Sequence, residues 1–172
     1  GVETLVAAAA FLSDDTHVWL VGGTPEELPR IEKLLSAPGA DLVKLVGYVA
    51  PTQIPTCLAA ADVLALPNSG QTAVSRYYTS PLKLFEYMAS GRPIIASDLP
   101  SLREIITHEE TALLVQPDDA RAFAAAVERL RHDADLARRL AANSLQMVAD
   151  YTWDHRAAQI IELIQQDGLC NT

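Results

Sequence analysis

The feature that most constrains the fold is the alternation of short apolar runs with amphipathic segments. Five runs are typical of buried strands, at residues 17–21, 43–49, 62–67, 93–97 and 112–115. The segments between them carry apolar residues at helical spacing or are bounded by helix start and stop signals. Strands that alternate with helices form parallel sheets whose two faces are both covered. We therefore predict an α/β fold, a Rossmann-like three-layer α/β/α sandwich with a mostly parallel sheet.

Helix signals fill the remainder of the chain. We predict a first helix over residues 2–12, a second that starts at a capping box formed by Thr24 and Glu27, and a third from Ser80 to the glycine at 91. Shorter helices are expected at 54–61 and 102–106, and amphipathic helices fill the C-terminal third. Residues 68–79 read as a loop. The pattern predicts one domain over residues 1–164 and a flexible tail over 165–172.

Composition narrows the classes of function. The 172 residues are 49% hydrophobic and carry a net charge of −9, which disfavours broad binding to a nucleic-acid backbone. Two cysteines, Cys57 and Cys170, show no disulfide or zinc pattern, as expected for a cytoplasmic protein. A C-terminal set of arginines reads as a solvated helical surface, with peripheral contact to anionic lipid as the alternative: Arg129, Arg131, Arg138 and Arg139.

The carboxyl ends of the strands are where open parallel sheets bind ligands. After the third strand, a helix that begins at Ser80 would direct the amides of Leu82 and Lys83 and the Lys83 ammonium toward an anion. Glu86 lies one turn beyond Leu82, where its carboxylate can accept two hydrogen bonds from a vicinal diol such as ribose. These features together describe a nucleotide site, and the alternative is an ordinary capped helix with a solvated lysine and glutamate.

A longer run resembles a known family. Residues 80–98, from Ser80 through Lys83 and Glu86 to Asp98, resemble the signature of the retaining glycosyltransferases called glycosyl transferases group 1 (family 4), which have a GT-B fold of two Rossmann-like domains. Residues 1–5, 60–67, 111–117 and 151–153 resemble other segments of the family's second domain, in the right order.

The resemblance implies roles for the residues that match. Glu86 would bind the nucleotide ribose, and the backbone amides of Leu82 and Lys83 would hold the diphosphate. The loop against the base would be formed by Gly47, Tyr48 and Val49. The glycine-rich turn that lines the cleft would be formed by Gly22 and Gly23.

Departures from the family pattern also matter. Tyr78 stands where the first glutamate of the Glu-x7-Glu motif touches the donor sugar, so Tyr78 is either a sugar contact or a packing aromatic. The Ser80 opening with the adjoining Thr79 replaces a glycine-containing turn, so Lys83 would neutralise more of the phosphate charge. The family's strand before the first helix, its basic pair and its N-terminal acceptor domain are absent. We therefore expect a domain fragment with five strands and a gap, or a rearranged or borrowed strand, between them.

The resulting expectation is a donor-binding domain for a nucleoside-diphosphate sugar, from an enzyme that transfers a sugar to a hydroxyl acceptor without a metal or other cofactor. The fragment alone is expected to be inactive. No residue is assigned a catalytic role. Two alternatives stay open: a sugar-nucleotide epimerase or phosphorylase on the same fold, and an inactive nucleotide-binding or interaction module. The sequence does not assign an oligomeric state.

Overall fold

A computed structural model describes residues 1–36, 38–79 and 82–166. Ser80, Pro81 and residues 167–172 of the predicted tail therefore lie outside the described residues. Five strands alternate with helices: α1 (Val2–Ala9), β1 (Val18–Val21), α2 (Leu28–Leu34), β2 (Val43–Gly47), α3 (Ile54–Ala60), β3 (Leu64–Leu66), α4 (Leu82–Ala89), β4 (Ile94–Ser97), α5 (Pro100–Arg103), β5 (Leu113–Val115), α6 (Ala120–His132), α7 (Ala134–Val148) and α8 (Trp153–Gln166).

The strands form two parallel sheets. β1 pairs with β2, and β3, β4 and β5 pair in that order. Within the described residues no strand joins β1 to β3, so the predicted gap is present. The Rossmann-like α/β prediction is confirmed, with every named strand pair parallel.

The three-stranded sheet is covered on both faces because successive β4 side chains alternate between them. Ile94 and Ala96 belong to one apolar cluster, built with α4, α5 and residues of α7. Ile95 belongs to a second, built with α1, α6 and Leu140 of α7. All four residues of β4 are buried.

The two-stranded sheet is covered on one face. Leu20 and Val43 pack with α1 and α2, and both are buried. On the other face Trp19 is 60% exposed, and Val21 and Val46 are 36% and 38% exposed. Lys44 lies across from Trp19 with its Nζ 4.9 Å from the ring centroid.

Helix α1 packs against both sheets. Val6 and Ala9 pack with β1 and β2, whereas Ala8 packs with β4 and β5. Gly1, which precedes the helix, lies against the backbone of Pro67, just beyond the carboxyl end of β3. The helix therefore spans the space between the two sheets.

The start of α2 differs from the prediction. The Thr24 amide donates to the Glu27 carboxylate over 2.9 Å, so half of the capping box forms. Regular helix nevertheless begins at Leu28, with no side-chain cap. Pro29 explains the difference, because it has no N–H to donate to the Pro25 carbonyl and is tolerated only in a first turn.

The C-terminal helices begin at side-chain caps. Asp133 caps α7 by accepting from the Leu136 amide over 2.9 Å, and Thr152 accepts from the His155 amide at the start of α8. Trp153, in the first turn of α8, is 83% exposed in this chain. Helix α8 continues to Gln166, two residues beyond the predicted domain boundary.

The arginine surface is largely neutralised by acids. Arg129 pairs with Glu109, Arg131 with Asp15 and Glu128, and Arg138 with Asp135. Among the described helices, none has both the length and the apolar character required to cross a bilayer.

Candidate functional site

The site is built at the edge of the molecule where the parallel strands end. β1 ends at Val21 and is followed by Gly22, β2 ends at Gly47, and β3 ends at Leu66. α4 begins on the same edge because a crossover helix runs antiparallel to its strand. The sequence-predicted residues therefore come from three successive strand ends and one helix start.

Two glycine turns meet at this edge. The Gly22 amide donates to the Gly47 carbonyl over 2.7 Å. Gly22, Gly23 and Gly47 have φ angles of 105°, 97° and 74°, a backbone region that side chains with a Cβ rarely adopt. A Cβ built on Gly22 or Gly47 would meet no atom within 4 Å, so both turns border open space. A ligand can approach their backbone closely.

An aromatic ring stands beside the glycine turns. Tyr48 follows Gly47 and is 77% exposed, whereas Val49 is half-buried. A large exposed ring next to an open backbone turn can stack on a planar group. Tyr48 thus offers a ring surface at this edge of the sheet.

Helix α4 carries the ionisable groups of the site. Leu84 and Met88 are fully buried, which turns Leu82, Lys83 and Glu86 outward. Among the described residues, neither the Lys83 ammonium nor the Glu86 carboxylate has a hydrogen-bond or ion-pair partner. Both groups are available to a ligand.

The neighbour of Glu86 is held in the core instead. Tyr87 is half-buried against the cluster formed with α5 and β4, and burial raises the pKa of its hydroxyl, with the Glu86 charge adding to the effect. Tyr87 therefore fixes the rotation of α4, and Glu86 is the residue that faces out.

The segment before α4 is more ordered than the predicted loop. Residues Val74–Tyr78 form a π-helical turn. Its backbone is held by Thr72, whose carbonyl accepts from the Arg76 amide over 3.0 Å, and by Thr79, whose hydroxyl donates to the Val74 carbonyl over 3.0 Å. The prediction of a loop over 68–79 is therefore wrong at Val74–Tyr78, where backbone and side-chain hydrogen bonds close a helical turn.

The turn presents the residue that replaces the family's first glutamate. Tyr78 is 79% exposed and contacts Tyr77 edge to face, with 6.4 Å between ring centroids. It is therefore not a core residue, and its ring is accessible at the same edge as α4. Thr79 is half-buried and serves the turn through its hydroxyl.

Two carboxylates at this edge have structural partners. Asp98, at the end of β4, pairs with the Arg103 guanidinium, and the hydrogen bonds from Arg103 lower the pKa of that carboxyl. Asp118, which the sequence did not single out, accepts from the Gly70 amide over 2.9 Å and ties the β5 loop to the β3 loop.

A separate open depression of about 660 Å³ lies at the amino ends of β1 and β2, lined by His17, Asp41 and Lys44 among others. It is at the opposite end of the strands from the glycine turns, and its volume alone gives no reason to place a ligand there. We assign the site by chemistry rather than by concavity.

Metal-ligating groups do not cluster in the described part of the chain: no three His, Cys, Asp or Glu side chains converge there. The Asp133-x-Asp135 sequence, which imitates a metal motif, is a helix cap and an ion pair with Arg138.

Residues 1–133 match the family described as glycosyl transferases group 1. The chain belongs to this family. The match contains the whole candidate site, including both glycine turns and α4.

Curated relatives extend the likeness across nearly the whole chain. It is 30% identical to alpha-D-kanosaminyltransferase of Streptomyces kanamyceticus over 98% of this chain and 43% of that protein. It is 31% identical to the GDP-mannose-dependent alpha-(1-6)-phosphatidylinositol monomannoside mannosyltransferase of Mycobacterium tuberculosis over 97% of this chain and 44% of that protein. The chain thus spans less than half the length of these relatives.

A solved structure agrees with the fold. Sucrose-phosphate synthase from Thermosynechococcus elongatus is 35% identical, with a TM-score of 0.83, over 99% of this chain and 43% of that chain. The chain is therefore a glycosyltransferase-family domain with the Rossmann-like architecture of GT-B enzymes.

Proposed function

We propose that this domain binds the nucleoside-diphosphate sugar for an enzyme that transfers the sugar to a hydroxyl acceptor with retention of configuration. The observation that carries the proposal is the pair of groups on α4, Lys83 and Glu86, that find no partner among the described residues and lie at the edge where the glycine turns are open. The family membership and the GDP-mannose dependence printed in the name of one relative support a sugar-nucleotide donor.

The roles follow from charge and geometry. The first backbone amides of a helix lack acceptors within the helix, and its dipole favours an anion there. In the proposal, the amides of Leu82 and Lys83 and the Lys83 ammonium hold the diphosphate. Glu86, one turn further, accepts from the two ribose hydroxyls.

Tyr48 and the glycine turns complete the proposed donor site. The Tyr48 ring would lie against the base, and the open backbone at Gly22, Gly23 and Gly47 would let the nucleotide approach closely. Tyr78 would meet the donor sugar, offering a ring and one hydroxyl where the family has a carboxylate. The base and the sugar are not assigned.

The proposed chemistry is carried by the leaving group. The acceptor oxygen bonds to the anomeric carbon, and the bond from that carbon to the diphosphate oxygen breaks with its electron pair. The acceptor proton is released. Lys83 and the helix amides would stabilise the charge that develops on the diphosphate, so the proposal requires no metal ion.

Titration of the chain with UDP and GDP tests the assignment. We expect Lys83→Gln to weaken nucleoside-diphosphate binding about tenfold, because a charge-assisted hydrogen bond contributes about 1.5–3 kcal/mol. Glu86→Gln should weaken the binding of the nucleotides by a similar factor and leave the binding of inorganic pyrophosphate unchanged, since pyrophosphate has no ribose.

Lys33→Gln and Glu32→Gln are matched controls, because both residues are exposed on α2 and lie outside the proposed site. Equal affinity of the wild type and both α4 variants for the nucleotides would refute the donor site. Turnover is expected only from a longer protein that completes the acceptor site. Isomerised donor without acceptor product would favour the epimerase alternative.

A further inference from the structure

The π-helical turn carries a second feature that the donor site does not use. Arg76 lies with its guanidinium carbon 5.4 Å from the centroid of the Tyr77 ring. Tyr77 is 50% exposed and touches the Tyr78 ring edge to face. One cation and two accessible rings therefore stand together beside the proposed position of the donor sugar.

The sequence around Arg76 lacks acidic side chains, and in the described part of the chain this arginine, like Arg121, lies over an aromatic ring rather than beside a carboxylate. In a protein with net charge −9, residues 63–85 contain no aspartate or glutamate. Within the described ranges Arg76 has no carboxylate partner. Other arginines do have acid or carbonyl partners: Arg30 with Glu3, Arg92 with the Ala59 carbonyl, Arg103 with Asp98, Arg129 with Glu109, Arg131 with Asp15 and Glu128, and Arg138 with Asp135.

The turn holds these groups in place. The Ser75 amide donates to the Thr72 hydroxyl over 3.2 Å, and the hydroxyl of the buried Ser101, in α5, donates to the Ser75 carbonyl over 3.3 Å. The exposed side chains therefore stand on an anchored backbone. Anchoring of this kind reduces the entropy lost when a ligand binds.

The chemistry of the cluster indicates its ligand. A guanidinium presents paired N–H donors that match the oxygens of a phosphate. A tyrosine ring stacks on the apolar face of a sugar or cyclic polyol. A phosphorylated sugar offers both features at neighbouring positions.

We propose that Arg76 and Tyr77 form a subsite for a sugar or cyclic polyol that carries a phosphate, with the phosphate on Arg76 and the ring on Tyr77. Its contact with Tyr78 places this subsite next to the donor sugar, where an acceptor must lie. The acceptor role rests on the transfer reaction proposed above, whereas the binding itself does not.

The test is an NMR titration of the 172-residue chain with glucose 6-phosphate, glucose and inorganic phosphate. Glucose 6-phosphate should bind more tightly than either of the others. Arg76→Gln should weaken the binding of glucose 6-phosphate about tenfold and leave the binding of glucose unchanged. Tyr77→Leu should weaken the binding of both sugars. Arg76→Lys should retain part of the preference for the phosphorylated sugar, because lysine keeps the positive charge but lacks the paired N–H donors of the guanidinium.

Controls separate this subsite from the donor site. Arg138→Gln removes an exposed arginine elsewhere and should leave all three ligands unaffected. Arg76→Gln should not change the affinity for UDP or GDP. In a chain that carries Lys83→Gln, the further change Arg76→Gln should still weaken the binding of glucose 6-phosphate. If the chain does not bind the nucleotides but still binds glucose 6-phosphate in a way that depends on Arg76, the donor site is refuted and the Arg76 subsite stands.

Vesicles of phosphatidylcholine with and without phosphatidylinositol distinguish the source of the phosphate. Retention that needs both phosphatidylinositol and Arg76 would show a lipid-borne ligand, and binding of glucose 6-phosphate alone would show a free one. The same affinity of wild type and Arg76→Gln for glucose 6-phosphate, together with no Arg76-dependent retention on vesicles, would overturn the proposal.

Discussion

The two sheets of the molecule are packed very differently. In the sheet of β3, β4 and β5, side chains on both faces are buried, and Ile94 and Ile95 have no exposed surface. In the sheet of β1 and β2 only one face is covered, and Trp19 on the other is largely exposed. Strands of similar apolar character therefore stabilise the fold to different extents, because helices cover both faces of one sheet and only one face of the other. The candidate site draws on both halves, with α4 from the first and the glycine turns from the second.

The largest expected effect tests the packed half. Ile95→Ala should lower the free energy of unfolding by about 3 kcal/mol, because it leaves a cavity between β4 and the helices α1 and α6. Val46→Ala, on the open face of β2, is the matched change and should cost less than about 1 kcal/mol. Denaturant unfolding measures both, and equal losses would contradict the comparison.

A backbone effect is expected at the end of the open sheet. Gly47→Ala is expected to cost about 1–2 kcal/mol, because its φ of 74° is unfavourable for alanine although space is available. Gly47→Asn should cost less, since asparagine tolerates this region. Thermal unfolding of the two variants checks the order, and an alanine variant as stable as the asparagine variant would show that the strain is absent.

A smaller effect is expected from the ion pair at the end of β4. Because Arg103 lowers the pKa of Asp98 in the folded state, the stabilisation is complete above the ordinary aspartate pKa of about 3.9 and is lost as the pH falls through the folded value. Both side chains are partly exposed, so we expect less than about 1 kcal/mol.

The measurement is the stability difference between the wild type and Asp98→Asn, followed from neutral pH to below the aspartate range. The difference should shrink on acidification. A difference that grows as the pH falls would have the wrong sign for a carboxylate stabilised by Arg103.

The smallest effect should come from the open face itself. Trp19→Thr removes an exposed ring and its contact with Lys44, a pair expected to contribute about 0.5 kcal/mol. Chemical denaturation of the isolated chain measures it. A loss above about 2 kcal/mol would instead indicate that this face is covered in solution.

Periodicity in the sequence was enough to predict the strand order along the chain, the parallel sheets and most helices, because buried strands and amphipathic helices leave strong local patterns. Helix starts were harder to predict: the capping box at Thr24 was recognised, but Pro29 delays the regular helix. The π-helical turn could not be predicted, because its closure depends on Thr72, which accepts from the Ser75 and Arg76 amides, and on hydroxyls donated by Thr79 and the distant Ser101.

The candidate site was predictable only where a residue type implies chemistry. Glycines at strand ends and the Lys83–Glu86 spacing were recognisable, and the structure gives both ionisable groups no partner within its described ranges. The Asp118 contact with Gly70 joins residues 48 positions apart, so only the folded chain reveals it. Ser80 lies outside the described residues, and its proposed role stays a prediction.

The place of α1 between the two sheets bears on how the molecule melts. One side of this helix packs with β1 and β2 and the other with β4 and β5, so neither sheet keeps its full apolar contacts once the helix detaches. The weaker sheet thereby shares in the cooperativity of the stronger one, and a single calorimetric transition is expected. Loosening α1 alone would separate that transition into two.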